Sequence, residues 1–169
     1  MDPERPWSKW ADPGAGAGTA VHVTREFAAP REEVFRAWTD PDLFRQWFGS
    51  GEGSTRSAEM DVRPGGTYRI TFERPPAVPG TTYLVGTYLE VVAPERLVYT
   101  FGWEQTPYLE ELEALDSRVT VRFRDLGDST EVSITHERLD TEELRAFHRW
   151  GWDGSLERLA SLMHRRGRP

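Results

Sequence analysis

The chain contains no cysteine. That excludes disulfides, thiolate nucleophiles and cysteine-based metal sites. It contains no apolar run of about 18 residues, so no membrane-spanning helix is expected. Lysine is almost absent: Lys9 stands alone among 21 basic residues, and the other 20 are arginine. That bias fits a GC-rich genome better than any chemistry. Positive charge is itself in deficit, with 28 acidic residues and a net charge of −7. A nucleic-acid binder carries a basic face. The one basic cluster here, Arg165, Arg166 and Arg168, reads as a solvated helix end. Neither a nucleic-acid partner nor a membrane is therefore expected. The P-loop, the dinucleotide fingerprint, the nucleophile elbow and paired metal-ligand spacings are all missing. His148 and His164 form no HxxxH pair. No cofactor and no metal are implied. Met1-Asp2-Pro3-Glu4-Arg5 lacks the basic-then-apolar layout of a signal peptide, and a cytoplasmic location follows as the expectation.

Aromatic rings are what the chain has in excess: seven Trp, five Tyr and eight Phe in 169 residues. Rings bury the largest area per residue, so this many can build a core, line a pocket, or do both. The length suits one domain.

Residues 1–19 read as a flexible tail, with the linker composition Asp12-Pro13-Gly14-Ala15-Gly16-Ala17-Gly18. Trp7 and Trp10 stand out in it, and both docking and an untethered tail stay open. A single domain is expected over 20–165, with a short tail at 166–169. Val21–Phe27 alternates like a half-buried strand. Pro30 and then Asp40-Pro41 open two short helices, carrying Val34, Phe35 and Trp38, and Leu43, Phe44, Trp47 and Phe48. A Gly/Ser loop spans 49–57. Strands are expected near 58–63, 67–74, 83–92, 97–103, 118–124 and 130–136, with a non-pairing connection at 75–82. Residues 104–116 mix five acids with Tyr108, Leu109, Leu112 and Leu115, and read as a short amphipathic helical turn, with a lid over a cavity mouth and a solvated surface loop both open. Asp140-Thr141-Glu142-Glu143 begins like a capping box, with Asp140 as the cap, and a helix of about 20–24 residues follows. The order β-αα-β-β-β-β-β-β-α predicts an α+β domain with an antiparallel sheet.

The last helix points to a cavity. Its inward stripe runs Leu144, Phe147, Gly151, Ser155, Leu159 and Leu162, bulky at both ends and small in the middle. Glycine inside a helix costs about 0.8–1 kcal/mol against alanine, and Gly151 and Gly154 lie close together. Close packing and room for a ligand explain them equally well. Trp150 and Trp152 bracket Gly151, which fits a helix face bordering a pocket.

These segments resemble a known family. Ala29-Pro30-Arg31-Glu32-Glu33-Val34-Phe35-Arg36-Ala37-Trp38-Thr39-Asp40-Pro41, followed by Trp47-Phe48, is similar to the first motif of the START-like (SRPBCC, helix-grip) superfamily. Pro64-Gly65-Gly66, the stretch from Gly86 to Leu97, and His148-x-x-Gly151-Trp152 resemble the branch named after the activator of the heat-shock-protein-90 ATPase. The resemblance implies a seven-stranded antiparallel sheet wrapped around a long C-terminal helix. It also implies two short helices after strand one and a central hydrophobic cavity. The superfamily hosts lipid carriers, cyclases, receptors and co-chaperones, so fold does not settle function.

Three functions are weighed. The first is binding of a small hydrophobic or lipid-like molecule. Its candidate wall is Trp38, Phe44, Trp47, Phe48, Tyr68, Phe72, Tyr88, Tyr99, Phe101, Trp103, Val121, Ile134, His136, Trp150, Gly151, Trp152 and Ser155, any of which could equally be plain core. The second is a cyclase or dehydratase acting on a hydrophobic substrate. His136 or Glu90 would supply its acid or base, with Glu59, Asp61 and Arg69 as weaker candidates. A hydrogen-bonded histidine at a strand end is the plainer account of His136. The third is a chaperone partner. Eukaryotic co-chaperones resembling this branch carry a further N-terminal domain that a 19-residue tail cannot supply, which ranks this reading last. A homodimer is compatible with the chain.

Overall fold

The computed structural model describes residues 7–8, 18–49, 54–73, 80–106, 112 and 115–167. Strand β1 (Val21–Phe27) leads into α1 (Arg31–Thr39) and α2 (Pro41–Trp47). Six strands follow: β2 (Ser54–Met60), β3 (Thr67–Glu73), β4 (Thr81–Val92), β5 (Arg96–Glu104), β6 (Ser117–Asp125) and β7 (Thr130–Glu137). The long helix α3 (Glu142–Arg166) closes the chain. The sheet runs β1-β7-β6-β5-β4-β3-β2 and every neighbouring pair is antiparallel. This is the expected α+β architecture, a seven-stranded sheet with a long C-terminal helix and two short helices after strand one.

Period-two patterning sets the sheet. In β7, Thr130, Val132, Ile134 and His136 are buried and their neighbours half-exposed. In β6, Val119, Val121 and Phe123 face the same interior. The turn from α1 into α2 is fixed by chemistry expected from Asp40-Pro41: Asp40 accepts a hydrogen bond from the Asp42 amide at 2.9 Å, and Pro41 occupies the first turn.

Several boundaries differ from expectation. Strand β2 begins at Ser54, inside the segment read as loop. Strand β4 takes in Thr81 and Thr82 from the segment read as a connection, because both pair with the end of β3. Glu104 belongs to β5 rather than to the acidic segment, and pairs with Arg69 at 3.2 Å. Pro30 caps α1 from outside rather than occupying its first position. The cap of α3 is Thr141, not Asp140: its hydroxyl accepts from the Leu144 amide at 3.1 Å. The lid reading of 104–116 falls mostly on residues outside the described set, although Leu112 is fully buried.

Two buried clusters result. The larger joins α1, α2, most strands and the second half of α3. The smaller gathers Trp7, Val21, Leu112, Leu139, Leu144, Ala146 and Phe147 at the start of α3. Trp7 therefore docks: it is 2% exposed and meets the Phe147 ring edge-on at 5.0 Å and Trp150 at 5.8 Å. Trp10 lies outside the described residues. No described helix is long and apolar enough to cross a membrane.

Docking of Trp7 has a measurable cost of removal. Truncating a buried tryptophan forfeits about 3–5 kcal/mol. Trp7→Ala is expected to lower the unfolding free energy by at least about 2 kcal/mol in urea titration; a change under about 0.5 kcal/mol would show that the contact adds nothing.

Candidate functional site

Two chambers lie over the sheet, the outer one beneath α3 and the inner one beneath α1 and α2. The outer one has a volume of about 90 Å³ and is lined by Phe48, Gly49, Phe72, Glu73, Thr82, Phe101, Trp103, Phe147, His148, Trp150, Gly151, Trp152 and Ser155. The inner one is about 10 Å³ and is lined by Trp38, Phe44, Phe48, Met60, Tyr68, Ile70, Leu84, Tyr88, Tyr99 and Phe101. Phe48 and Phe101 belong to both linings and form the partition.

The candidate wall thus divides. Phe72, Trp103, Trp150, Gly151, Trp152 and Ser155 line the outer chamber, while Trp38, Phe44, Tyr68, Tyr88 and Tyr99 line the inner. Trp47, Val121, Ile134 and His136 line neither and lie buried in the packing behind them. Trp47 is turned away because its indole donates to the Ala37 carbonyl at 2.8 Å. Gly49, Glu73, Thr82, Phe147 and His148 were not on the candidate list.

Two reciprocal bonds tie helix to sheet at the outer wall. Trp152 of α3 donates from Nε1 to His136 Nδ1 on β7 at 3.1 Å. Trp103 of β5 donates from Nε1 to His148 Nε2 on α3 at 3.1 Å. The indole donors fix both tautomers. His136 carries its proton on Nε2 and donates to Ser117 Oγ at 2.8 Å, and Ser117 passes its own proton to the Phe101 carbonyl at 2.7 Å. His148 carries its proton on Nδ1 and donates to the Leu144 carbonyl at 2.7 Å. All four ring nitrogens are occupied by protein partners.

These histidines are neutral. Burial pushes His136 well below the ordinary imidazole range, and the neighbouring His148 adds to the effect. Burial pushes His148 down to about 4, against a small opposing contribution from its bond to the Leu144 carbonyl. Their ring centroids are 4.5 Å apart, so a proton on one disfavours a proton on the other.

The buried hydroxyls of the outer wall, Ser155 and Thr82, are also engaged. Ser155 Oγ accepts from the Gly49 amide at 3.0 Å and donates to the Gly49 carbonyl at 3.1 Å. Thr82 donates to the Gln105 carbonyl at 3.1 Å. Gly49 sits at φ +120°, a conformation that side chains disfavour, and Arg158 also donates to its carbonyl at 3.1 Å.

Glu90 is placed away from either chamber. A bulge at Leu89 shifts the β4–β5 register between Tyr88 and Glu90. Tyr88 stays inward, and Glu90, which simple alternation would also turn inward, faces solvent beside Arg96 at 3.0 Å. Glu59 is exposed, Asp61 pairs with Arg63 at 2.9 Å, and Arg69 lies 4.1 Å over the Tyr83 ring, outside both linings. Among the described residues no group of three or more metal-ligating side chains converges.

A sheet that grips a long C-terminal helix over a ring-lined cavity defines the helix-grip class. The family model described as Activator of Hsp90 ATPase homolog 1-like protein matches residues 28–164, and the chain belongs to that family. Among similar solved structures, a protein from Chromobacterium violaceum shares 27% identity, with 86% of this chain and 96% of that one covered and a TM-score of 0.72. One from Rhizobium leguminosarum shares 25% identity over 86% and 94%, with a TM-score of 0.70. The AHSA1 protein from Silicibacter pomeroyi shares 21% over 87% and 99% at a TM-score of 0.72, a likeness of fold. No curated protein matches the chain.

The neutral histidines make stability depend on pH with a defined sign. Unfolded histidine binds a proton below its ordinary value of 6.5, whereas folded His148 does so only near 4. The unfolded state therefore holds more protons in that window, and stability falls on acidification from pH 6.5 toward 4. The full span for His148 is about 3 kcal/mol. The urea midpoint is expected to fall between pH 7 and pH 5, and to fall less steeply in His148→Gln; equal slopes in the two proteins would refute the assignment.

Proposed function

We propose that the protein binds a small, mainly apolar molecule in the outer chamber. The observation that supports this most is the wall itself: seven aromatic side chains surround about 90 Å³, and its buried polar side chains are already bonded to protein. Such a surface attracts apolar matter and offers little to water. A dry cavity of about 150 Å³ takes benzene, so this volume accepts a few carbons or part of a ring, with the remainder at the mouth. Burying about 150 Å² of apolar surface gives roughly 4 kcal/mol, a Kd on the order of millimolar for so small a probe. A larger natural ligand would gain further contacts outside.

The cyclase or dehydratase reading is supported less well. General acid–base work needs a group able to exchange a proton with substrate. His136 has both nitrogens occupied and lies outside the linings, and Glu90 faces solvent. A co-chaperone role would depend on an exposed surface rather than on an enclosed volume.

Gly151 supplies the test. It lines the chamber, so leucine there occupies the space, while leucine is also a far better helix former than glycine. Toluene is expected to quench tryptophan emission and raise the Tm of the wild-type protein. Gly151→Leu should abolish both effects and keep its own Tm. Gly154→Ala, one residue off the lining, should keep both. Toluene binding by Gly151→Leu at wild-type affinity would overturn the assignment.

A further inference from the structure

One arginine on the outer face of the sheet lacks the partner its neighbours have. On β6 the outward residues include Arg118, Arg122 and Arg124, since Val119, Val121 and Phe123 are buried. The register with β7 places Glu137 opposite Arg118 and Glu131 opposite Arg124, and both ion pairs form, at 3.3 and 3.1 Å. Opposite Arg122 the same register places Ser133. On the other side of Arg122, across β5, stands Arg96, whose own partner is Glu90 at 3.0 Å. Like charges directly opposite on two strands destabilise a sheet. Arg122 borders an open groove of about 440 Å³ where β4, β5 and β6 end, and Arg31, Arg96 and Arg124 border it too. Arg31, at the start of α1, brings an Nε that is buried without a hydrogen-bond partner. Among the described residues neither Arg31 nor Arg122 has a carboxylate within ion-pair distance. The groove also carries two acids, Glu95 and Asp125, and neither reaches a guanidinium at that distance. Glu95 is exposed, and Asp125 accepts the Gly127 amide at 2.8 Å. The groove shares no lining residue with either chamber.

We propose that this groove is a second binding site, in which Arg122 and Arg31 hold the phosphate group of a small molecule. A guanidinium presents a planar fork of donors that matches two phosphate oxygens at once. A phosphate group carries a charge of about −1.5 to −2 at pH 7, enough to answer two guanidiniums. Val92, 40% exposed, lines the same groove and offers an apolar surface to an organic substituent. Glu95 and Asp125 restrict the guest to a compact anion, because an extended polyanion such as nucleic acid would bring further charge against them. The group recognised is phosphate, carried either by the free inorganic ion or by a small monoester.

Inorganic phosphate and n-propyl phosphate are the probes, added to the ¹⁵N-labelled protein in low-salt buffer, with sodium chloride at equal ionic strength as the blank. Both should move the amide signals of residues 92–96 and 122–125 saturably and raise the Tm. Arg122→Gln should weaken both probes about tenfold, the worth of hydrogen bonds to a charged group, and Arg31→Gln should weaken them in the same direction. Arg118→Gln removes the same charge from the same strand outside the groove, and should leave both probes within about twofold. Without phosphate, Arg122→Gln should melt no lower than the wild type, because the opposed arginine pair is relieved, so a loss of binding there is not a loss of fold. Tighter binding of n-propyl phosphate than of inorganic phosphate assigns the groove to a monoester, and equal binding assigns it to the free ion. The absence of a saturable shift beyond the chloride blank overturns the site. A loss in Arg118→Gln as large as in Arg122→Gln also overturns it, by showing general attraction of charge. Toluene binding in the outer chamber is expected to be the same in Arg122→Gln and wild type, so either site can fail without the other.

Discussion

Two indole N–H groups, each given to a buried imidazole, hold the long helix to the sheet. One runs from helix to sheet, Trp152 to His136, and the other from sheet to helix, Trp103 to His148. A buried imidazole nitrogen without a partner would cost about 1–3 kcal/mol, so each bond settles the register and rotation of α3 against β5 and β7. The ring of Phe101 packs among all four partners, at centroid distances between 4.6 and 6.1 Å. Most of the remaining architecture follows from this cross-link. Three of the four side chains in it, Trp103, His148 and Trp152, together with Phe101, are also wall of the outer chamber. Anchoring and lining are done by the same atoms, which explains how a chain of ordinary length puts so many rings around one space.

The sheet was legible because alternation is a strong signal wherever one face is buried. Val119, Val121 and Phe123 in β6 and Val132, Ile134 and His136 in β7 announce their faces without help. The helix face was only partly legible. A stripe drawn at period 3.6 through Leu144, Gly151 and Leu159 passes over His148, because histidine reads as a polar residue. The sheet covers α3 broadly enough to bury His148 and Trp152 along with that stripe. Nothing in composition marks His148 as half of a cross-link; the signal lies in its partner, a tryptophan on another strand. Glu90 misled for a different reason. One bulged residue, Leu89, reverses the parity of a strand end, and single-residue register shifts leave little trace in sequence. Trp7 was visible as an anomaly in a tail-like segment, but its partners Phe147 and Trp150 lie some 140 positions away.

The candidate wall was legible as a set of rings and illegible as a geometry. Its members fall into two chambers of unequal character. The outer is bounded by the helix and its spent His148, and the inner by α1, α2 and the tyrosines of β3, β4 and β5. Which side of the partition each ring occupies depends on the α1–α2 corner, whose angle is set by Asp40-Pro41 and by packing of Trp38 on Trp47 at 4.5 Å. No local pattern encodes that angle.

The Gly49 clamp bears on how fast anything can enter or leave. Ser155 and Arg158, both on α3, hold the backbone of the residue directly after Phe48 by three hydrogen bonds. The corner carrying Phe48 is thus fastened to the helix it would have to leave for a hinged opening. The Phe48 ring is itself packed against Phe44, Trp47, Phe72 and Trp152 at 4.6–5.9 Å. Widening the passage at this corner therefore requires breaking backbone bonds to α3 as well as ring contacts.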